Sequence, residues 1–122
     1  MQVTGLHHIQ LAMPAGGEAQ ARSFYGTLLG LVEIPKPANL AARGGVWFEC
    51  GAVQLHLGAD AAFVPAKKAH PGLLVEDLPS VTAELIAAGY DVKYDSEPFP
   101  GFDRAFFADP FGNRIELLQA QV

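Results

Sequence analysis

The chain contains itself twice, and that internal repeat constrains its fold more than any other feature. The first copy opens His8-Ile9-Gln10-Leu11-Ala12-Met13-Pro14, and the second opens His70-Pro71-Gly72-Leu73-Leu74-Val75-Glu76. The two opening histidines are 62 residues apart, and so are Gln54 and Glu116 in the closing strands Val53–Leu57 and Ile115–Gln119. His8 to Gln54 and His70 to Glu116 both span 46 residues, so polar groups recur at matched positions. Two half-domains of this kind can form one cavity on which those groups converge.

Each half reads as the same series of elements. In the first half a strand over residues 4–13 is followed by a helix over Glu18–Leu29. Its apolar residues Ala21, Phe24, Tyr25 and Leu28 have the spacing of one helical face. Gly30 suits the C-terminal cap. A short strand over residues 31–35, a loop over 36–43, and strands over 45–50 and 53–57 complete the half. In the second half a strand over His70–Val75 precedes a helix with Asp77 as N-cap, Pro79 in its first turn, a stripe of Leu78, Val81, Leu85 and Ala88, and Gly89 at its end. Strands over 91–94, 104–108 and 114–119 follow, with a turn at Asp109-Pro110-Phe111-Gly112-Asn113 between the last two. The expectation is an α+β fold of two βαβββ modules forming a cup-shaped mixed sheet, with module one over 1–58, a linker over 59–69 and module two over 70–122.

Strand parity places His8, Gln10 and Ala12 on one face, Gln54 and His56 on one face, and Arg114, Glu116 and Leu118 on one face. Tyr94, Arg104, Trp47 and Phe106 are further candidates to line the cup, although aromatics at alternating strand positions usually belong to a core. A lone strand histidine usually packs or hydrogen-bonds, and His7, pointing the other way, is read so. A buried Glu116 needs a cation or a donor.

Composition narrows the function. The 122 residues suffice for one domain with a core, and half of them are hydrophobic, which argues against disorder. The net charge is −5 with only 8 Lys and Arg and no basic run, which argues against nucleic acid as a partner. No apolar run reaches transmembrane length, and His7, His8 and Gln10 interrupt any N-terminal signal-like stretch. The single Cys50 makes no internal disulfide and reads as packing. These features fit the reducing cytoplasm and no membrane partner.

The sequence resembles the vicinal oxygen chelate superfamily, which includes glyoxalase I, thiol transferases, extradiol dioxygenases and bleomycin-resistance proteins. The words that carry the resemblance are His8-Ile-Gln-Leu-Ala-Met, Ser23-Phe24-Tyr25 with Leu29-Gly30-Leu31, His70 to Asp77, and Asp109-Pro-Phe-Gly-Asn-Arg-Ile-Glu-Leu-Leu118. Carried over by position, the resemblance implies His8, His70 and Glu116 as ligands of a divalent transition metal (Zn, Fe, Mn, Ni or Co). The fourth position falls on Gln54, where glyoxalase I usually has a carboxylate. His56 is then a fallback ligand or a general acid–base group, with a free glutamate as the other base. Gln54, Arg114, Arg104 and Tyr94 are the substrate-facing candidates. A metal enzyme acting on a small substrate with vicinal oxygens is implied, of lyase, isomerase or dioxygenase type. A phosphonate-binding transferase fits less well, because few cations lie near the cup. The alternative is a metal-free drug-binding protein of the bleomycin-resistance type. A homodimer is expected by analogy.

Overall fold

A computed structural model describes residues 1–122 and contains two four-stranded mixed sheets with few helices. The chain separates into two compact units, Met1–Pro65 and Ala66–Val122, and the boundary falls inside the expected linker. In the first unit the strands are β1 (His8–Pro14), β2 (Glu33–Ile34), β3 (Val46–Cys50) and β4 (Val53–Asp60), in the order β1-β4-β3-β2. In the second they are β5 (Gly72–Leu74), β6 (Lys93–Tyr94), β7 (Phe102–Ala108) and β8 (Arg114–Ala120), in the order β5-β8-β7-β6. β1 runs parallel to β4 and β5 parallel to β8, while the other pairs are antiparallel.

Each sheet has one core face and one open polar face, as the alternation demands. In the first unit Leu11, Met13, Val46, Phe48, Leu55 and Leu57 are buried. They share the face against which the first helix packs, where Tyr25 meets Phe48 with ring centroids 6.0 Å apart. That helix departs from the expected regular α-helix over 18–29. It is α-helical over Glu18–Ala21 (α1) and π-helical over Arg22–Leu28, with Leu29 N donating to Phe24 O at 2.9 Å. The wider turn accommodates two sequence neighbours, Phe24 and Tyr25, both fully buried. The loop over 36–43 contains a short helix, α2 (Ala38–Ala41). At Gly45 (φ +92°) a Cβ would come within 2.3 Å of Leu57 O, so only glycine fits there.

In the second unit α3 (Leu78–Ala87) starts as expected, with Ser80 N donating to Asp77 Oδ1 at 3.1 Å. Its buried stripe is Leu78, Thr82 and Leu85, not Val81 and Ala88. Thr82 is tolerated there because its hydroxyl donates to Leu78 O at 2.9 Å. The Asp109–Asn113 turn is tied by Asp109 Oδ1, which accepts from Phe111 N at 2.9 Å and Asn113 N at 2.8 Å.

Candidate functional site

In the first unit the open face carries two cross-strand rows. His8, Gln54 and Glu49 lie opposite one another in one row, and Gln10, His56 and Trp47 in the next. His56 is the only one of these that is buried, at 2% exposure, because its ring is held between two others. It stacks on Trp47 with centroids 3.9 Å apart and planes 2° from parallel, and His8 stacks on it at 4.3 Å and 13°. Its Nε2 lies 2.8 Å from Gln54 Oε1, a carbonyl oxygen that only accepts, so this nitrogen donates. Burial, and then the nearby His8, His7 and Lys36, lower the His56 pKa to about 4. The ring is therefore neutral at pH 7. Lys36 donates to Gly44 O and lies over the Trp47 ring, 5.9 Å from its centroid. His7 is drawn in as well, its Nδ1 2.9 Å from His8 Nδ1. A cavity of about 350 Å³ opens here, lined in part by His7, His8, Lys36, Arg43, Trp47 and His56.

In the second unit His70 and Glu116 meet directly. His70 Nε2 lies 2.9 Å from Glu116 Oε1, and His70 Nδ1 lies 2.8 Å from Lys68 O. Arg104 Nη1 reaches the other carboxylate oxygen, Oε2, at 3.4 Å, and Arg104 Nη2 donates to Asp95 Oδ2 at 3.0 Å. The Arg104 guanidinium also lies over Phe99 and Phe106, 5.2 and 5.3 Å from the two ring centroids. Glu116 is only 7% exposed, so this carboxylate depends on its neighbours for compensation.

The ladders correct one expectation from the repeat. His8 lies opposite Gln54, but Glu116 lies opposite Gly72, two residues beyond His70. Correspondingly, Gln54 N donates to His7 O, whereas Glu116 N donates to Pro71 O. Equal sequence spacing thus does not give equal ladder positions. His70 still reaches Glu116, and Gly72 beside them carries no side chain; a Cβ there would stand 3.0 Å from Leu118 Cδ1 and 3.9 Å from Glu116 Oε1.

The structure brings His8, Gln54 and His56 together in one unit, and His70, Glu116 and Arg104 in the other. Arg114 joins the latter group through Phe106, its guanidinium 4.3 Å from that ring's centroid. Tyr94, exposed on β6 opposite Ala105, lines a cavity together with Arg114 and Phe106, and its hydroxyl donates to Thr82 Oγ1 at 3.1 Å. Sequence reasoning missed Asp95, the anchor of Arg104, and Glu49; only their pairing partners reveal either role.

A divalent cation suits the His70–Glu116 pair. Lys68 O and the Glu116 carboxylate both accept, so His70 satisfies both only with protons on both nitrogens. With a metal bound, the Nδ1–H bond to the carbonyl would fix the tautomer and leave the Nε2 lone pair facing the carboxylate, the arrangement common around ligating histidines. No cluster of three or more His, Cys, Asp or Glu side chains forms in the structure.

Known structures share this fold. The chain is similar to a glyoxalase family protein from Bacillus anthracis, at 43% identity and a TM-score of 0.92, over 99% of this chain and 98% of that one. It is also similar in fold to a glyoxalase/dioxygenase from Nostoc punctiforme (21% identity, TM-score 0.78, 97% and 92% of the two chains). An antibiotic binding protein from a Streptomyces species shares the fold at 21% identity and a TM-score of 0.75, over 99% of each chain. No protein-family model and no curated protein matches the sequence.

Proposed function

The chain belongs to the glyoxalase family, within the vicinal oxygen chelate superfamily, and we propose that it is a divalent-metal enzyme acting on a small substrate with neighbouring oxygens. The observation that supports this reading is the 2.9 Å approach of His70 Nε2 to Glu116 Oε1, with Nδ1 held by a backbone carbonyl. His70 and Glu116 would be ligands, and the family pattern adds His8 as a third. Imidazole and carboxylate together suit Zn, Fe, Mn, Ni or Co. A bound metal would supply Lewis acidity to the substrate oxygens. Lyase or isomerase chemistry is the primary reading, and dioxygenation the other.

The chain's own residues divide the remaining work. Arg104 holds one Glu116 oxygen, which leaves the other free to ligate. His56 fits the role of base poorly, because a pKa near 4 makes its neutral form a weak acceptor. It instead donates to Gln54 Oε1, which leaves the Gln54 amide N–H groups to bind a substrate oxygen. Glu49, in the row of His8 and Gln54, would be the carboxylate that takes a proton.

The drug-binding alternative is favoured by one observation, the ring stack of His8, His56 and Trp47, which gives the first unit's cavity an aromatic lining suited to a ligand with rings. Metal analysis separates the two readings: a sequestering protein retains its ligand after chelation, and an enzyme loses turnover. A homodimer is part of the proposal, and light scattering on the eluting protein checks it. No helix is long and apolar enough to cross a membrane.

A further inference from the structure

The second unit carries a cavity of about 670 Å³ beside the His70–Glu116 pair, with Phe106 common to both. Its charged lining is Lys67, Lys93, Arg114, Asp91 and Asp95. Both acids are already engaged. Asp95 binds Arg104 at 3.0 Å, and Asp91 lies 3.1 Å from Lys93 in an exposed surface pair. That leaves two cations, Arg114 and Lys67, without a carboxylate partner.

Two hydrogen bonds hold the segments bearing these two side by side. Arg114 N donates to Ala66 O at 2.8 Å, and Ala66 N donates to Asn113 Oδ1 at 3.0 Å, so the segment bearing Lys67 is fastened to the start of β8. The Arg114 guanidinium carbon lies over the Phe106 ring, 4.3 Å from its centroid. A cation–π contact of this kind does not consume the N–H groups, which can still bond a carboxylate in bidentate fashion. The remaining wall is largely apolar, from Tyr94, Phe106, Phe107, Ala108 and Gly112, with Ser96 its one aliphatic hydroxyl.

We infer that this cavity binds the carboxylate of an organic anion with an apolar or aromatic body, with Arg114 as the principal donor and Lys67 beside it. The inference deepens the proposed function by naming a substrate class, a carboxylic acid whose other oxygens lie toward His70 and Glu116, and it rests on that reading for the word substrate alone. The chain's net charge of −5 repels anions in general, so a preference for one would be local in origin.

The test is calorimetric titration of the purified full-length chain with 2-naphthoate and with 2-naphthamide, the same body without the charge, at low salt and with and without a chelator. The expected result is at least tenfold tighter binding of naphthoate, unchanged by chelation. Arg114→Gln should remove most of that preference, and Lys67→Gln, at an exposed position, should reduce it at least threefold. Arg114→Lys should retain part of it. Equal binding of the two probes, or a preference that survives both glutamine variants, overturns the inference. A preference abolished by chelation also overturns it while leaving the metal reading intact. A preference that persists in protein shown to bind no metal upholds the anion cavity and removes only the metal.

Discussion

Trp47 and His56 face each other across β3 and β4 as register partners, and their rings lie parallel at 3.9 Å. Contact this close excludes water from one side of the imidazole, and His8 covers the other. The consequence is a histidine whose charged form is disfavoured. Its folded pKa, about 4, lies below the ordinary value of 6.5. Between these values the unfolded chain binds a proton that the folded chain does not, so stability rises with pH across that window and is lost as pH falls through it. The loss attributable to His56 should be on the order of 2 kcal/mol. Urea unfolding of wild type and His56→Asn at pH 4.5 and pH 7 checks this: the wild type should weaken more on acidification than the variant. A stability difference between the two proteins that is the same at both pH values would refute the assignment.

Gly45 meets two constraints, a positive φ and a backbone carbonyl where a side chain would begin. Gly45→Ala should cost about 3 kcal/mol or more, since neither neighbour is the end of a flexible side chain. Thermal and urea unfolding measure it. A cost below about 0.5 kcal/mol, the range of ordinary surface changes, would mean that β4 moves freely there.

Asp109 is the hub of the turn between β7 and β8, accepting from Phe111 N and Asn113 N through Oδ1 and from Asn113 Nδ2 through Oδ2. Asp109→Ala leaves buried donors unmet and should destabilise by roughly 2–4 kcal/mol. Asp109→Asn, which keeps one acceptor, should cost less. Equal costs for the two would show that shape rather than hydrogen bonding governs the turn.

Gln54 and Glu116 differ in charge, and that decides their expected weight in metal binding. Glu116→Gln should weaken metal retention on the order of tenfold more than Gln54→Ala, because an amide does not neutralise a cation. Competition with a chromogenic chelator gives both numbers. The reverse order would show that the ligands have been chosen wrongly.

What the sequence made legible was local chemistry. Asp77 as a cap, Gly89 at φ +94° and the Asp109–Asn113 turn each follow from a residue and its near neighbours. The open faces were legible too, because His8, His56, Glu116 and Arg114 sit where two-residue alternation puts them. Features set by packing were not legible. The π-helical turn depends on how Phe24 and Tyr25 bury together. Thr82 in the stripe depends on a hydroxyl finding its own helix backbone. The shift of Glu116 opposite Gly72 depends on strand register, which equal spacing does not determine. The pairing of Arg104 with Asp95 crosses a loop with no periodicity to read.

The proposed metal site stands or falls with His70 and Glu116. Elemental analysis after loading with divalent metal and desalting, on wild type, His70→Ala and Glu116→Gln, tests it most directly. The expected result is about one ion per chain in the wild type and a substantial loss in both variants, with folding retained by circular dichroism. Negligible metal in all three proteins, or equal metal in all three, would contradict it.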